Sequence, residues 1–324
     1  MAEAAVLSGA ASPARRLTLT AAVALLACAA YMTIGLRGDL ALGLELRGLR
    51  LGAMICVGVA VAVSTVVFQT LTANRIVTPS IMGLDALYIF CQTALVFALT
   101  GLGFAGIDPR LQFFGNFFVM TGLALALFLP LLGRRLDLGL LLLTGVVLGL
   151  LFRSLSVLLA RLFDPNDFAV LQGAVFASFS RTRPDLLLIA WLITAAGTVV
   201  AWRMRHVLDV VALGEEAAVG LGVSWRSVVA GLLALVAALV AAATALVGPM
   251  AFLGLLVASI TDRVAGTGRH AVLLPAAALV AVVVLVGGQT VLQHGLGGEG
   301  TLAIVVEFIG GIIFLVMLFA GVRR

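Results

Sequence analysis

A chain of 324 residues that is 63% hydrophobic and only 11% charged does not describe a soluble fold; long apolar runs with so few charges read as membrane spans. The formal charge is +5, yet the basic residues are all arginine, scattered in pairs between apolar runs, which suits orientation in a bilayer rather than nucleic-acid binding. With no lysine, the chain lacks both the ammonium of a P-loop and the amine of a Schiff base, so neither chemistry is available to it.

At roughly 20 residues per span, the length accommodates about ten helices in one transmembrane domain, residues 1–324. Arg15 and Arg16 precede the first run, Leu17–Leu36, which is long enough to span and shows no cleavage site, so it reads as a retained helix. Leu51–Leu71, Leu84–Thr100, Phe113–Leu132 and Leu138–Ala160 follow. Phe168–Ser180 is too short to cross and reads as a re-entrant or interfacial piece. The second series is Asp185–Trp202, Arg226–Val247, Pro249–Ala265, Ala271–Gly288 and Leu302–Ala320. The eighth span opens on Gly248-Pro249, and a broken or tilted helix is expected there.

With the N-terminus inside, Arg15, Arg16, Arg75, Arg134, Arg135, Arg203, Arg205, Arg226, Arg263, Arg269, Arg323 and Arg324 fall on the cytoplasmic side. Only Arg37, Arg47, Arg50, Arg110, Arg161, Arg181 and Arg183 fall outside. The bias places both termini in the cytoplasm of a multi-pass protein. Span two is followed by "TANRIVTPSIMG" and span seven by "VGPMAFLG", a Pro and then a Gly opening the next run in each case. These units lie five spans apart and would be inverted in the membrane, as in transporters built from two inverted halves.

No catalytic constellation appears. His206, His270 and His294 have no metal-site spacing and read as surface residues of loops, and no G-x-S-x-G is present. Cys28, Cys56 and Cys91 lie within apolar runs and read as small buried side chains, not a disulfide framework. Three charges fall inside spans: Asp85, Arg153 and Glu307. Such groups line a pathway or snorkel to the interface, and no chain of acids crosses the bilayer to make a proton relay. The abundant glycine and alanine, as in "GAMICVGVAVAVS", predict closely packed helices.

The stretch Val211–Ser224, "VALGEEAAVGLGVS", is different in kind. Leu213 and Gly214 precede Glu215, Glu216 and Ala217, acids in a first helical turn; Gly220, Leu221 and Gly222 close it, and Ser224 is a fair N-cap for the next span. The expectation is a short cytoplasmic surface helix between spans six and seven.

"LGEEAAVGLGV", "VGPMAFLGLLV" and "NRIVTPSIMGLDALY" together resemble, in order and spacing, segments of the permeases of iron–siderophore and cobalamin ABC importers. The resemblance spans nearly the whole chain. It implies an all-α integral membrane fold of the type II ABC importer permease kind. Two such permeases, identical or paralogous, enclose the path for a ferric siderophore across the bacterial inner membrane. It implies that Leu213–Val223 docks on a separate ATPase, which carries ATP and magnesium, so that this chain is no enzyme and holds no cofactor. The "LRGLR" arginines, Arg47 and Arg50, match those that meet acidic residues of an extracytoplasmic binding protein. A third outer arginine found in some members is replaced by Glu299, and the family's Pro-His pair in span eight by Ala258-Ser259. With "GGQ" at Gly287–Gln289, that substitution resembles the branch serving catecholate-type siderophores. The family assigns no role to Glu307. The competing reading is an ion- or proton-coupled secondary transporter that works without an ATPase, using Asp85, Arg153 and Glu307.

Overall fold

The computed structural model describes residues 12–35, 40–128, 138–295 and 302–322, and every regular element among them is helical. Arg37, Arg134, Arg135, Glu299, Arg323 and Arg324, with the last residues of the predicted fourth span, lie outside the described residues.

Helix α1 (Pro13–Thr33) begins with proline at its first position, where no N–H is needed, and the Ser12 hydroxyl accepts the Arg15 N–H at 3.3 Å. Helix α2 (Leu40–Thr72) starts at Leu40, not at the expected Leu51. Its 33 residues make it about 50 Å long, well beyond a hydrocarbon core of roughly 30 Å. Its first turns, residues 40–46, are largely exposed, and Arg47 and Arg50 follow them partly buried. Helix α3 (Asp85–Ala105) is entered through a π-turn at Ser80–Leu84, and α4 (Pro109–Phe128) and α5 (Leu138–Ala160) complete the first five spans. The stretch expected not to cross forms α6 (Pro165–Val175) and a single 3₁₀ turn, Phe179–Arg181.

The second half comprises α7 (Pro184–Arg203), the short α8 (Arg205–Val211) and α9 (Glu215–Gly220), then α10 (Trp225–Val247) and α11 (Leu253–Ala265). Helix α12 (His270–Val282) runs through a π-turn at Val283–Gly287 into α13 (Gly288–Gly295), and α14 (Leu302–Val322) ends the described chain. Among the described residues, seven helical stretches are long and apolar enough to cross a membrane; α4, α11 and α14 occupy the other three places in the bundle. With 13 residues, α11 is only about 20 Å long, so the expected break at Gly248-Pro249 is present.

Helices α2 and α10 pack on one another, and both bury many small residues, among them Ala53, Ala60 and Ala62 on α2 and Ala237, Ala241 and Ala242 on α10. Where lipid supplies no drive for association, such faces let backbones approach and gain dispersion contacts. Packing repeats between the halves: α2 lies on α12 as α10 lies on α4, and α3 lies on α5 as α11 lies on α14. This is the arrangement of two inverted five-helix units.

The helix breaks are sealed by backbone contact. Gly83 has φ +91°, and a Cβ there would stand 2.9 Å from both the Gly145 carbonyl oxygen and the Gly149 Cα. At the second break the Val247 carbonyl accepts the Ser178 N–H at 2.8 Å, and a Cβ on Gly248 would stand 2.9 Å from the Ala177 Cα. Irregular backbone is tolerated at membrane depth only when protein satisfies it in this way.

Gly83→Ala combines this overlap with a left-handed backbone that by itself costs about 1–3 kcal/mol. Gly83→Ala and Gly149→Ala are expected to lower the thermal unfolding midpoint of the detergent-solubilised protein. Gly115→Ala, with open space around the new methyl, leaves it unchanged.

Candidate functional site

Helix α9 stands at one end of the bundle on a base formed by α8 and the start of α10. Gly214 opens it with φ +95°, a conformation that favours glycine, and Glu215 and Glu216 occupy the first turn, where their charge suits the exposed N–H groups. Its end is closed by the Leu221 N–H on the Ala217 carbonyl and the Val223 N–H on the Ala218 carbonyl, both at 3.0 Å, with Gly222 at φ +84°. The expected extent, acids and closing glycines are all present; Ser224 holds the N-cap position of α10, but its side chain makes no capping bond.

Ala218 is fully buried and fixes α9 to its base. Around it, Leu213 and Leu221 are each 64% exposed and Val219 53%. Glu215, Glu216 and Ala217 are exposed too. A Cβ on Gly214, Gly220 or Gly222 would meet nothing within 4 Å. An apolar and acidic surface thus points away from the rest of the chain. At six residues, about 9 Å, α9 cannot cross a bilayer.

The base is held from within. Asp209 of α8 accepts the His270 backbone N–H at 2.8 Å and its ring Nδ1–H at 2.7 Å. The ring Nε2 lies 2.7 Å from the Thr70 hydroxyl of α2. His270 was expected in a surface loop; it is instead the first residue of α12, with 2% exposure. A buried imidazole needs partners for both nitrogens, and α8 and α2 supply them. Beside this node the Gln69 amide donates to the Arg75 carbonyl at 2.6 Å, and Arg75 pairs with Asp262 of α11 at 2.9 Å. A cavity of about 240 Å³ lies between these groups, lined by Thr70, Ala212 and Asp262 among others. Partial burial of Asp209 disfavours its charge, but the His270 bonds outweigh that and hold the carboxyl below its ordinary value.

The other expected site residues lie elsewhere. Asp85 starts α3 with 6% exposure, and the Ser80 hydroxyl in the preceding π-turn bears on its carboxyl. The charges of Glu307 on α14 and Arg153 on α5 both act on it. Glu307 takes a backbone hydrogen bond from Ala251, in the α10–α11 break. The three intramembrane charges thus share one electrostatic neighbourhood. At the far end of the bundle, Arg47 donates to the Tyr31 and Ile34 carbonyls at 2.8 and 2.7 Å, closing the end of α1. Arg50 lines a small cavity with Tyr31, Ser180 and Gln289. Among the described residues no three His, Cys, Asp or Glu side chains gather as metal ligands would.

Residues 37–320 match the FecCD transport family. The chain belongs to that family. This FecCD chain is 39% identical over 270 residues to the petrobactin import system permease protein YclO of Bacillus subtilis, covering 83% of this chain and 86% of that protein. It is 33% identical over 264 residues to the petrobactin import system permease protein FatC of Bacillus anthracis, covering 81% and 75%. A solved structure, an inward-facing conformation of a putative metal-chelate type ABC transporter, superposes with a TM-score of 0.82 at 23% identity, over 95% of this chain and 99% of that one. This last likeness establishes the fold.

Sequence reading of the FecCD chain missed α8 and the Asp209–His270–Thr70 node. The available signal was the pair Leu208 and Val211, both buried and one helical turn apart. A carboxyl with a lowered folded pKa contributes stability above its unfolded value, near 3.8, and loses it as pH falls through the folded one. The advantage of the wild type over Asp209→Asn in thermal unfolding is therefore expected to be present at pH 5 and to vanish only on acidification below pH 3.8.

Proposed function

We propose that this chain is the permease subunit of an ATP-driven importer that carries a ferric siderophore of catecholate type across the bacterial inner membrane. The observation that carries the reading is α9: a short helix seated through Ala218, whose outer face exposes Val219 and two acids, with Leu213 and Leu221 exposed at its ends. Exposed apolar side chains rimmed by charge mark a protein–protein contact. Because the chain has no lysine for a P-loop, the energy source is a separate ATPase holding ATP and magnesium, with α9 as its dock on the cytoplasmic side. The arginine bias supports that orientation, with both termini inside. The petrobactin import relatives support the cargo class.

Transport then needs two packings of the bundle, one open to each side, whose balance shifts with nucleotide at α9 and with a loaded binding protein at the far end. A second permease, a paralogue or an identical copy, completes the path. Asp85, Arg153 and Glu307 face it, since an unpaired charge within hydrocarbon is stable only beside water or a partner. Arg50 and, through its hold on α1, Arg47 present positive charge to an acidic binding protein. The buried Asp85 would also suit an ion-coupled carrier working alone, but that reading leaves α9 without a purpose. Uptake that persists when the ATPase carries an inactivating catalytic substitution would favour it.

Glu215→Arg and Leu221→Arg should reduce capture of the ATPase and slow uptake by about tenfold or more, the loss expected of a central contact residue. Thermal unfolding should be unchanged, and capture at the wild-type level would remove α9 from the interface. Arg50→Glu should weaken binding-protein affinity and flatten its dependence on salt, measured by titration at two ionic strengths.

A further inference from the structure

Three features at the α9 end belong together. First, α8 and α9 form one unit. The Leu213 and Gly214 N–H groups bond to the Val210 and Val211 carbonyls at 3.0 Å, and the buried Leu208 and Ala218 seat both helices. Second, this unit is tied by hydrogen bonds to two long helices at one residue, His270, whose backbone N–H and ring both bind Asp209 while the far ring nitrogen reaches Thr70. Third, the cavity of about 240 Å³ borders the same unit at Ala212, just past the end of α8.

Proton accounting shows how the tie is made. A carboxylate only accepts, so Nδ1 carries a proton toward Asp209. Thr70 has a single hydroxyl proton and two acceptors within reach, the Val66 carbonyl at 2.8 Å and Nε2 at 2.7 Å. Whether the hydroxyl donates to the Val66 carbonyl or turns toward Nε2, it stays in contact with the ring. The ring is thereby held in orientation from both nitrogens, with α8, the start of α12 and the end of α2 joined through it.

We propose that Asp209, His270 and Thr70 are positioning residues that convert displacement of α9 into displacement of α12 against α2. The proposal rests on the reading of α9 as the ATPase dock. Without the tie, a push on α9 is taken up by the neighbouring cavity; with it, the push reaches the start of α12, which packs along α2 at the centre of the bundle. None of the three residues forms the exposed face of α9, so docking and transmission are separable.

The test uses the complete importer in proteoliposomes, with its ATPase, partner permease and binding protein. Asp209→Ala, His270→Ala and Thr70→Val are compared with wild type for ATPase capture, ATP hydrolysis and cargo moved per ATP. Capture and basal hydrolysis should be retained, whereas cargo per ATP should fall by about tenfold, the scale of a typical coupling between sites. His270→Asn, whose amide can still donate to Asp209, should recover part of the ratio. Thr70→Val keeps the side-chain shape and reports on the relay even where Asp209→Ala does not assemble. A ratio equal to wild type in Thr70→Val and His270→Ala overturns the relay. So does capture that falls in step with transport, because the node would then only shape the dock. A wild-type chain that captures no ATPase sinks the docking reading and the relay with it.

Discussion

Hydrocarbon offers backbone groups no hydrogen-bond partner, and that constraint decides where this chain can bend. Two breaks among the described residues, at Gly83 and at Gly248-Pro249, are closed by backbone from a neighbour. At the first, Gly83 lies against Gly145 and Gly149 so closely that no side chain fits on any of the three. At the second, the Ser178 N–H satisfies the Val247 carbonyl where the helix ends, and Gly248 lies against Ala177. The charged residues gather at these same breaks: Asp85 follows Gly83, and Glu307 reaches the N–H of Ala251. At the second break the freed Ala251 N–H is where Glu307 finds its partner.

What could be read from the sequence follows from the same physics. Apolar runs report spans directly because the solvent is uniform, and the broken eighth span was visible in a glycine-proline pair. Helix α9 was legible because acids, glycines and a short length leave few alternatives. The start of α2 was not: "LALGLELRG" mixes leucine with charge, and residues that project past the hydrocarbon carry no continuous apolar run to mark them. The contact of the Arg47 guanidinium with the end of α1 was likewise not legible from its position in the sequence.

His270 was misread for a different reason. A histidine preceded by Arg269 and a glycine-rich turn has the local appearance of a surface loop. Its burial is set by α8, an element of seven residues whose place is fixed by Leu208 and Val211 and by no local signal at His270 itself. Tertiary packing decides the environment of a lone polar residue, so spacing within a sequence says little about it.

The two kinds of joint differ in what they permit. Glycine seams are backbone against backbone, with no side chain to rotate and no void to enter, so they move as one body or not at all. The α9 end is held by a few side-chain bonds beside a cavity, and such bonds can keep their partners while the helices carrying them slide. On the proposed reading, alternating access needs both: stiff seams so that motion at one end arrives undiminished at the other, and a compliant base where force from the ATPase enters. The placement of rigid contacts near the intramembrane charges, and of polar ties and empty volume beneath α9, is the distribution that such a mechanism requires.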